Sequence, residues 1–168
     1  SSIFGSRALA HLAMASGLPK GQESGIDLSR RLANHLNDGQ QYRLANRLYE
    51  ALLAAGRLNR GSQLAYATSY SEAHDDIEGA AQAIVIAQKA LDEAEAEHPG
   101  SDSMEAVVAR AECHRRIAGL RQWYWQKSLQ PADLDAAIRS FDDAVHWNDR
   151  ARQIGALKHP GFLAQARL

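Results

Sequence analysis

The densest run of chemistry-bearing side chains is CHRRIAGLRQWYWQK, residues 113–127. It sets Arg115, Arg116, Arg121 and Lys127 among Trp123, Tyr124 and Trp125, in a chain with three Trp and five Tyr in all. Guanidinium groups beside indoles support cation–π contacts and forked hydrogen bonds to carboxylates. The same mixture suits an anchoring pocket for a partner side chain, or stacking with single-stranded RNA. On a helix, Ile117, Leu120 and Tyr124 share one stripe, which predicts a core position for Tyr124. Trp123 and Trp125 stand about 200° apart at about 100° per residue, so they cannot share that stripe. One indole is expected to wedge between neighbouring helices and the other to meet a ligand.

A second polar pair lies in RRLANH, where Arg30 and Asn34 are four apart and point the same way on a helix. Other clusters have simpler explanations. EAHDD (Glu72 to Asp76) carries metal-ligand residue types, but no second His-carboxylate cluster stands at ligand spacing, and helix capping explains the aspartates. Cys113 and His114 are adjacent, so on a helix they diverge by about 100° and form no nucleophile pair. Gly-rich phosphate loops and G-x-S-x-G elbows are absent from the sequence. No catalytic residue, metal ligand or cofactor site is assigned.

The totals limit the partner. Net charge is −1 from 19 basic and 20 acidic residues, so no global field selects nucleic acid or an anionic membrane. Electrostatic recognition must come from local patches. The single Cys113 excludes a disulfide framework and a thiolate zinc cluster, and fits a reducing, cytoplasmic setting. No stretch reaches the roughly 20 apolar residues that span a bilayer. The opening SSIFGSRALAHLAMASG reads as a short amphipathic helix rather than a signal peptide. The missing initiator Met and the abrupt end at FLAQARL suggest a trimmed chain or a fragment.

These side chains must be positioned by helices. Ala and Leu dominate, β-branched residues are scarce, and apolar residues recur at helical spacing between regular turn signals. The spacing predicts one all-α domain over 1–168, with an N-terminal helix and loop over 1–22. Helix pairs are expected over 26–56, 61–97 and 102–147, followed by a last helix over 148–168 after a bend at NDR. Leu28, Leu32 and Leu36 form the expected apolar stripe of the first pair, and Asp75 with Glu78 is the expected N-cap pair of the helix from Ile77. Short turns between helices imply antiparallel neighbours.

Three segments share a layout around an alanine: QYRLANRLYEAL at Ala45, DIEGAAQAIVIA at Ala80 and DLDAAIRSFDDAV at Ala137. An apolar or aromatic residue lies three before each alanine (Tyr42, Ile77, Leu134) and a large one four after (Tyr49, Ile84, Phe141). Alanine lets helix backbones approach, and the large residue one turn on fills the space beside it. With Leu32, Ala33 and Leu36 on the preceding helix, this layout resembles the tetratricopeptide repeat over roughly residues 26–147. Ala45 and Ala80 are 35 residues apart, near the family period of about 34. Ala80 and Ala137 are 57 apart, which predicts lengthened later helices.

The resemblance implies antiparallel pairs stacked as a right-handed superhelix, the alternative being an irregular multi-helix bundle. It also implies a concave groove that binds a peptide, with Arg30 and Asn34 on the positions that clamp a carboxylate. Tyr66 stands where the family has a further asparagine. The expected function is a non-enzymatic interaction module for a protein or peptide of acidic or carboxylate character, using Arg30, Asn34, Arg115, Arg121, Trp123 and Trp125. Two rivals stay open. One is a metal-independent ribonuclease resembling the HEPN type, from the Arg–His spacings Arg30/His35, Arg139/His146 and Arg152/His159. The other is a structural module that forms homo-oligomers through apolar faces.

Overall fold

The computed structural model describes residues 23–155, which form six helices and no strand. They are α1 (Glu23–Asp38), α2 (Tyr42–Ala54), α3 (Arg60–His74), α4 (Ile77–Glu97), α5 (Met104–Ser128) and α6 (Pro131–Gln153). The all-α expectation holds. The predicted helix over 1–22, and residues 156–168, lie outside the described residues. No helix among the described residues is long and apolar enough to cross a membrane. Two compact units divide between Asp75 and Asp76, so the first holds α1–α3 and the second α4–α6.

Local signals set most boundaries. Asn59 caps α3 by accepting from the Ser62 amide at 2.9 Å, and Ser103 caps α5 through the Ala106 amide. Pro131 opens α6 at a position where its missing N–H costs nothing. Gly56, with φ 65°, closes α2: its own amide reaches the Leu53 carbonyl and the Arg57 amide reaches Leu52. The N-cap of α4 is Asp76, whose carboxylate accepts from the Gly79 amide at 2.6 Å, and not Asp75. Asp75 instead terminates α3 in the left-handed region, at φ 44°. A second expectation also shifts: α6 runs unbroken through Asn148–Arg150, where a bend was expected. Nothing in NDR breaks a helix, and the added turn buries Ala151 against Val107 beside Trp147 and Ile154.

In the first unit, α1 and α3 both pack on α2. The buried face of α1 is not the expected leucine stripe. Leu28 and Leu32 are 63% and 47% exposed, whereas Ile26 and Ala33 are buried. The reason lies on α2, where Tyr49 is fully buried and its hydroxyl needs an acceptor. Asn34 supplies it, its Oδ1 accepting from Tyr49 at 2.7 Å and from the Ser62 hydroxyl at 3.5 Å. Satisfying the phenol turns the Asn34 side of α1 inward and Leu28 and Leu32 outward, with Leu36 half-buried. The α2–α3 contact is also polar: Asn46 donates to the Ser69 carbonyl, and the Ser69 hydroxyl donates to that of Tyr42.

In the second unit, α5 packs against both α4 and α6. Alanine dominates the buried faces, including Ala80, Ala87 and Ala94 on α4 and Ala137, Ala144 and Ala151 on α6. Each contributes little more than one methyl, about 0.8 kcal/mol, so stability here depends on many close backbone approaches. The alanine of all three repeat segments is buried, but the large residue one turn later is not uniform. Tyr49 is buried, Ile84 half-buried, and Phe141 exposed. The expected lengthening is present, since α4 and α5 have 21 and 25 residues against 13 and 15 in α2 and α3.

Candidate functional site

RQWYWQK forms the last two turns of α5. Lys127 lies in the final turn, where a cation complements the helix dipole, and Leu129 ends the helix in the left-handed region at φ 54°. Ser128 ties this end to α6 by donating to the Asp133 carboxylate at 2.6 Å. That link helps hold α4, α5 and α6 around an open hollow of ≈ 210 Å³. Its wall is Ala81 and Ile84 from α4, Arg121 and Tyr124 from α5, and Asp133 and Ala136 from α6.

Arg121 makes no hydrogen bond or ion pair with any described residue, and its Nε is buried. A guanidinium whose Nε is buried without an acceptor has hydrogen-bonding capacity to spare, and a carboxylate is the group that meets it best. Tyr124, expected in the core, is half-buried at the hollow's edge. It gives an aromatic wall beside the cation.

The remaining candidates of this unit do not converge there. Trp123 lies about 200° round the helix from Arg121 and carries Lys127 Nζ over its ring at 4.7 Å. Its indole Nε1 is buried without an acceptor among the described residues. Trp125 is half-buried, four residues from Arg121 and so on a neighbouring face. Neither indole is fully exposed. Arg115 is half-buried two turns back, and burial together with the Arg115 charge lowers the pKa of Arg116.

Arg30 and Asn34 belong to the first unit. Arg30 is 23% exposed, pairs with Asp27 at 3.5 Å, and has a buried Nε with no acceptor among the described residues. With the Asn34 oxygen committed to Tyr49 and Ser62, only its amide N–H groups could serve a ligand. The Tyr49 phenol is pushed up well beyond its usual pKa, first by burial and then by Asp38, so it stays a donor.

The most highly organised cluster escaped the sequence reading. Arg110 is 3% exposed and grips Glu95 with two bonds, Nε to Oε1 at 2.7 Å and Nη2 to Oε2 at 3.1 Å. It also donates to the carbonyls of His98 and Ser101, and its guanidinium lies 5.0 Å from the Trp147 ring. His114 stacks near that ring at 6.2 Å and 11°, while His146 meets its edge at 5.3 Å. Burial, as the largest cause, lowers the pKa of His114; Asp143 and Glu95 oppose it, and His146 and Arg110 add to it. One signal was available: Arg110 lies four after Ala106, three before Cys113 and seven before Ile117, on a core stripe.

The metal and Arg–His patterns gain nothing. Among the described residues no group of three His, Cys, Asp or Glu side chains could hold a metal ion. His74 stacks on Tyr70 at 4.1 Å, its Nδ1 against the Tyr70 carbonyl, and Asp76 is committed to its cap. Arg139 and His146 are both exposed, and His159 lies outside the described residues. No protein-family model, curated protein or solved structure matches the chain.

Proposed function

We propose that the chain is a non-enzymatic, tetratricopeptide-like interaction module whose second unit receives an acidic side chain or carboxylate of a partner peptide. The observation that supports this is Arg121, which makes no ion pair with a described residue and lines a hollow walled by Tyr124 and two further helices. A guanidinium held on a helix, between rigid neighbours, loses little freedom on binding, so its bonds to a carboxylate are not offset by ordering. The hollow accommodates one side chain rather than a whole ligand, which favours a peptide anchored at one point. Arg115, Trp123 and Trp125 would then contact flanking residues. Arg30 and Asn34 would offer the first unit a weaker carboxylate contact, since Asp27 already pairs with Arg30 and the Asn34 oxygen is committed to Tyr49 and Ser62.

The test is fluorescence anisotropy with labelled acidic peptides, comparing the parent chain with Arg121→Ala and Arg121→Lys. A charged hydrogen bond is worth about 1.5–3 kcal/mol, so Arg121→Ala should weaken binding at least tenfold. Arg121→Lys should recover part of it, and circular dichroism should be unchanged. Equal affinity for parent and Arg121→Ala would remove the assignment.

A further inference from the structure

We infer that the outer face of α6 is a docking surface for a basic amphipathic helix. This is independent of the Arg121 hollow. Leu134, Ile138, Phe141 and Val145 recur in steps of four, three and four, which places them on one seam of the helix. Ile138, Phe141 and Val145 are 50%, 39% and 57% exposed. Single exposed apolar residues are ordinary, but a continuous seam of them marks an interaction site. The inward contact of α6 is already made by Ala137, Ala144 and Ala151, all buried, so the seam is additional to what the unit needs for folding.

The charges beside the seam select the occupant. Asp135, Asp142 and Asp149 recur every seven residues and line one edge of it, the position that carries interhelical ion pairs in packed helices. All three are exposed, and Asp135 and Asp142 make no ion pair with a described residue; Asp149 is 3.5 Å from Arg152. The other edge carries Ala137, Ala144 and Ala151, which are buried against the unit and offer a partner no charge. A partner with apolar residues in three–four steps and Lys or Arg beside them would match both seam and edge. A second copy would not: antiparallel docking sets aspartate against aspartate, and parallel docking sets aspartate against alanine. The same aspartates repel nucleic acid and anionic membranes.

The probe is a fluorescein-labelled amphipathic peptide of leucine and lysine, titrated against the full chain, with a leucine–glutamate peptide as its counterpart. Saturable binding of the lysine peptide, weakening with salt, is expected. Phe141→Ser should weaken it about tenfold, as loss of a central apolar anchor does. The Asp135→Asn/Asp142→Asn double variant should weaken it about threefold. Val145→Ser serves as a second seam variant, and Glu93→Gln on α4 should leave binding unchanged. The inference is overturned by absent binding, by equal binding of the glutamate peptide, or by indifference to the seam and aspartate variants. Sedimentation velocity showing self-association that Phe141→Ser abolishes would also overturn it.

Discussion

Arg110 and Glu95 meet in a two-point ion pair that joins α5 to the end of α4, with the arginine side chain 4% exposed and the glutamate 46%. The same guanidinium holds two carbonyls of the intervening loop. Arg110→Ala empties a buried site beside Trp147 and leaves the His98 and Ser101 carbonyls without their donor, so it should destabilise the chain by about 3 kcal/mol. Glu95→Ala leaves the buried guanidinium with only those two carbonyls and should cost about 2 kcal/mol. Arg110→Lys should rescue little, because an ammonium cannot reproduce the fork. Denaturant unfolding midpoints decide this; a loss well under 1 kcal/mol for Arg110→Ala would show the pair to be incidental.

The inverted first helix makes a contrasting pair of expectations. Tyr49→Phe removes the donor to Asn34 and should cost about 1–2 kcal/mol. Leu28→Gln, on the exposed stripe, should change stability by less than about 0.5 kcal/mol. Were Leu28 the more sensitive of the two in thermal unfolding, α1 would be packed by its leucines after all.

Leu129 sits in the left-handed region at φ 54° with its side chain largely exposed. A non-glycine residue pays a steric penalty there, and little packing is lost on removing the side chain. Leu129→Gly should therefore stabilise by about 0.5–1 kcal/mol, read as a rise in melting temperature. A fall would mean that the leucine makes contacts that outweigh its backbone strain.

His114 supplies a pH dependence. Burial holds its folded pKa below the unfolded value of about 6.5, so the folded state prefers the neutral ring. Its contribution is present above about pH 6.5 and is lost as pH falls from there through the folded pKa, where the unfolded chain binds the extra proton. Melting temperatures measured from pH 7.5 down to pH 5 should fall more steeply for the parent than for His114→Gln. Parallel curves would assign the acid sensitivity to other groups.

The helices were legible because turn residues and apolar spacing repeat the same message along the chain. Ile77–Glu97 ends where the sequence places it, and Pro131 opens its helix as expected. Which face turns inward was less legible. Leucine spacing on α1 marks a stripe, but one buried phenol on another helix decides which side is satisfied by burial. Arg110 shows the same limit more strongly. Its position on a core stripe can be read from spacing, but Glu95 lies 15 residues away across a turn, and only the packed hairpin pairs them. Arg121 was legible as part of a cationic–aromatic run, whereas the hollow beside it needs side chains from three helices.

The stacking around Trp147 has an optical consequence. Its indole has the guanidinium of Arg110 at 5.0 Å and the imidazole of His114 at 6.2 Å, with His146 at its edge. An imidazolium quenches indole emission far more than a neutral ring does. In a chain carrying Trp123→Phe and Trp125→Phe, the only remaining fluorophore of this kind would therefore dim as the His114 ring takes up a proton. It would brighten or shift to the red when the second unit opens. The cluster that secures the α4–α5 hairpin is thus also a built-in dye, reporting protonation and unfolding from one site without a label.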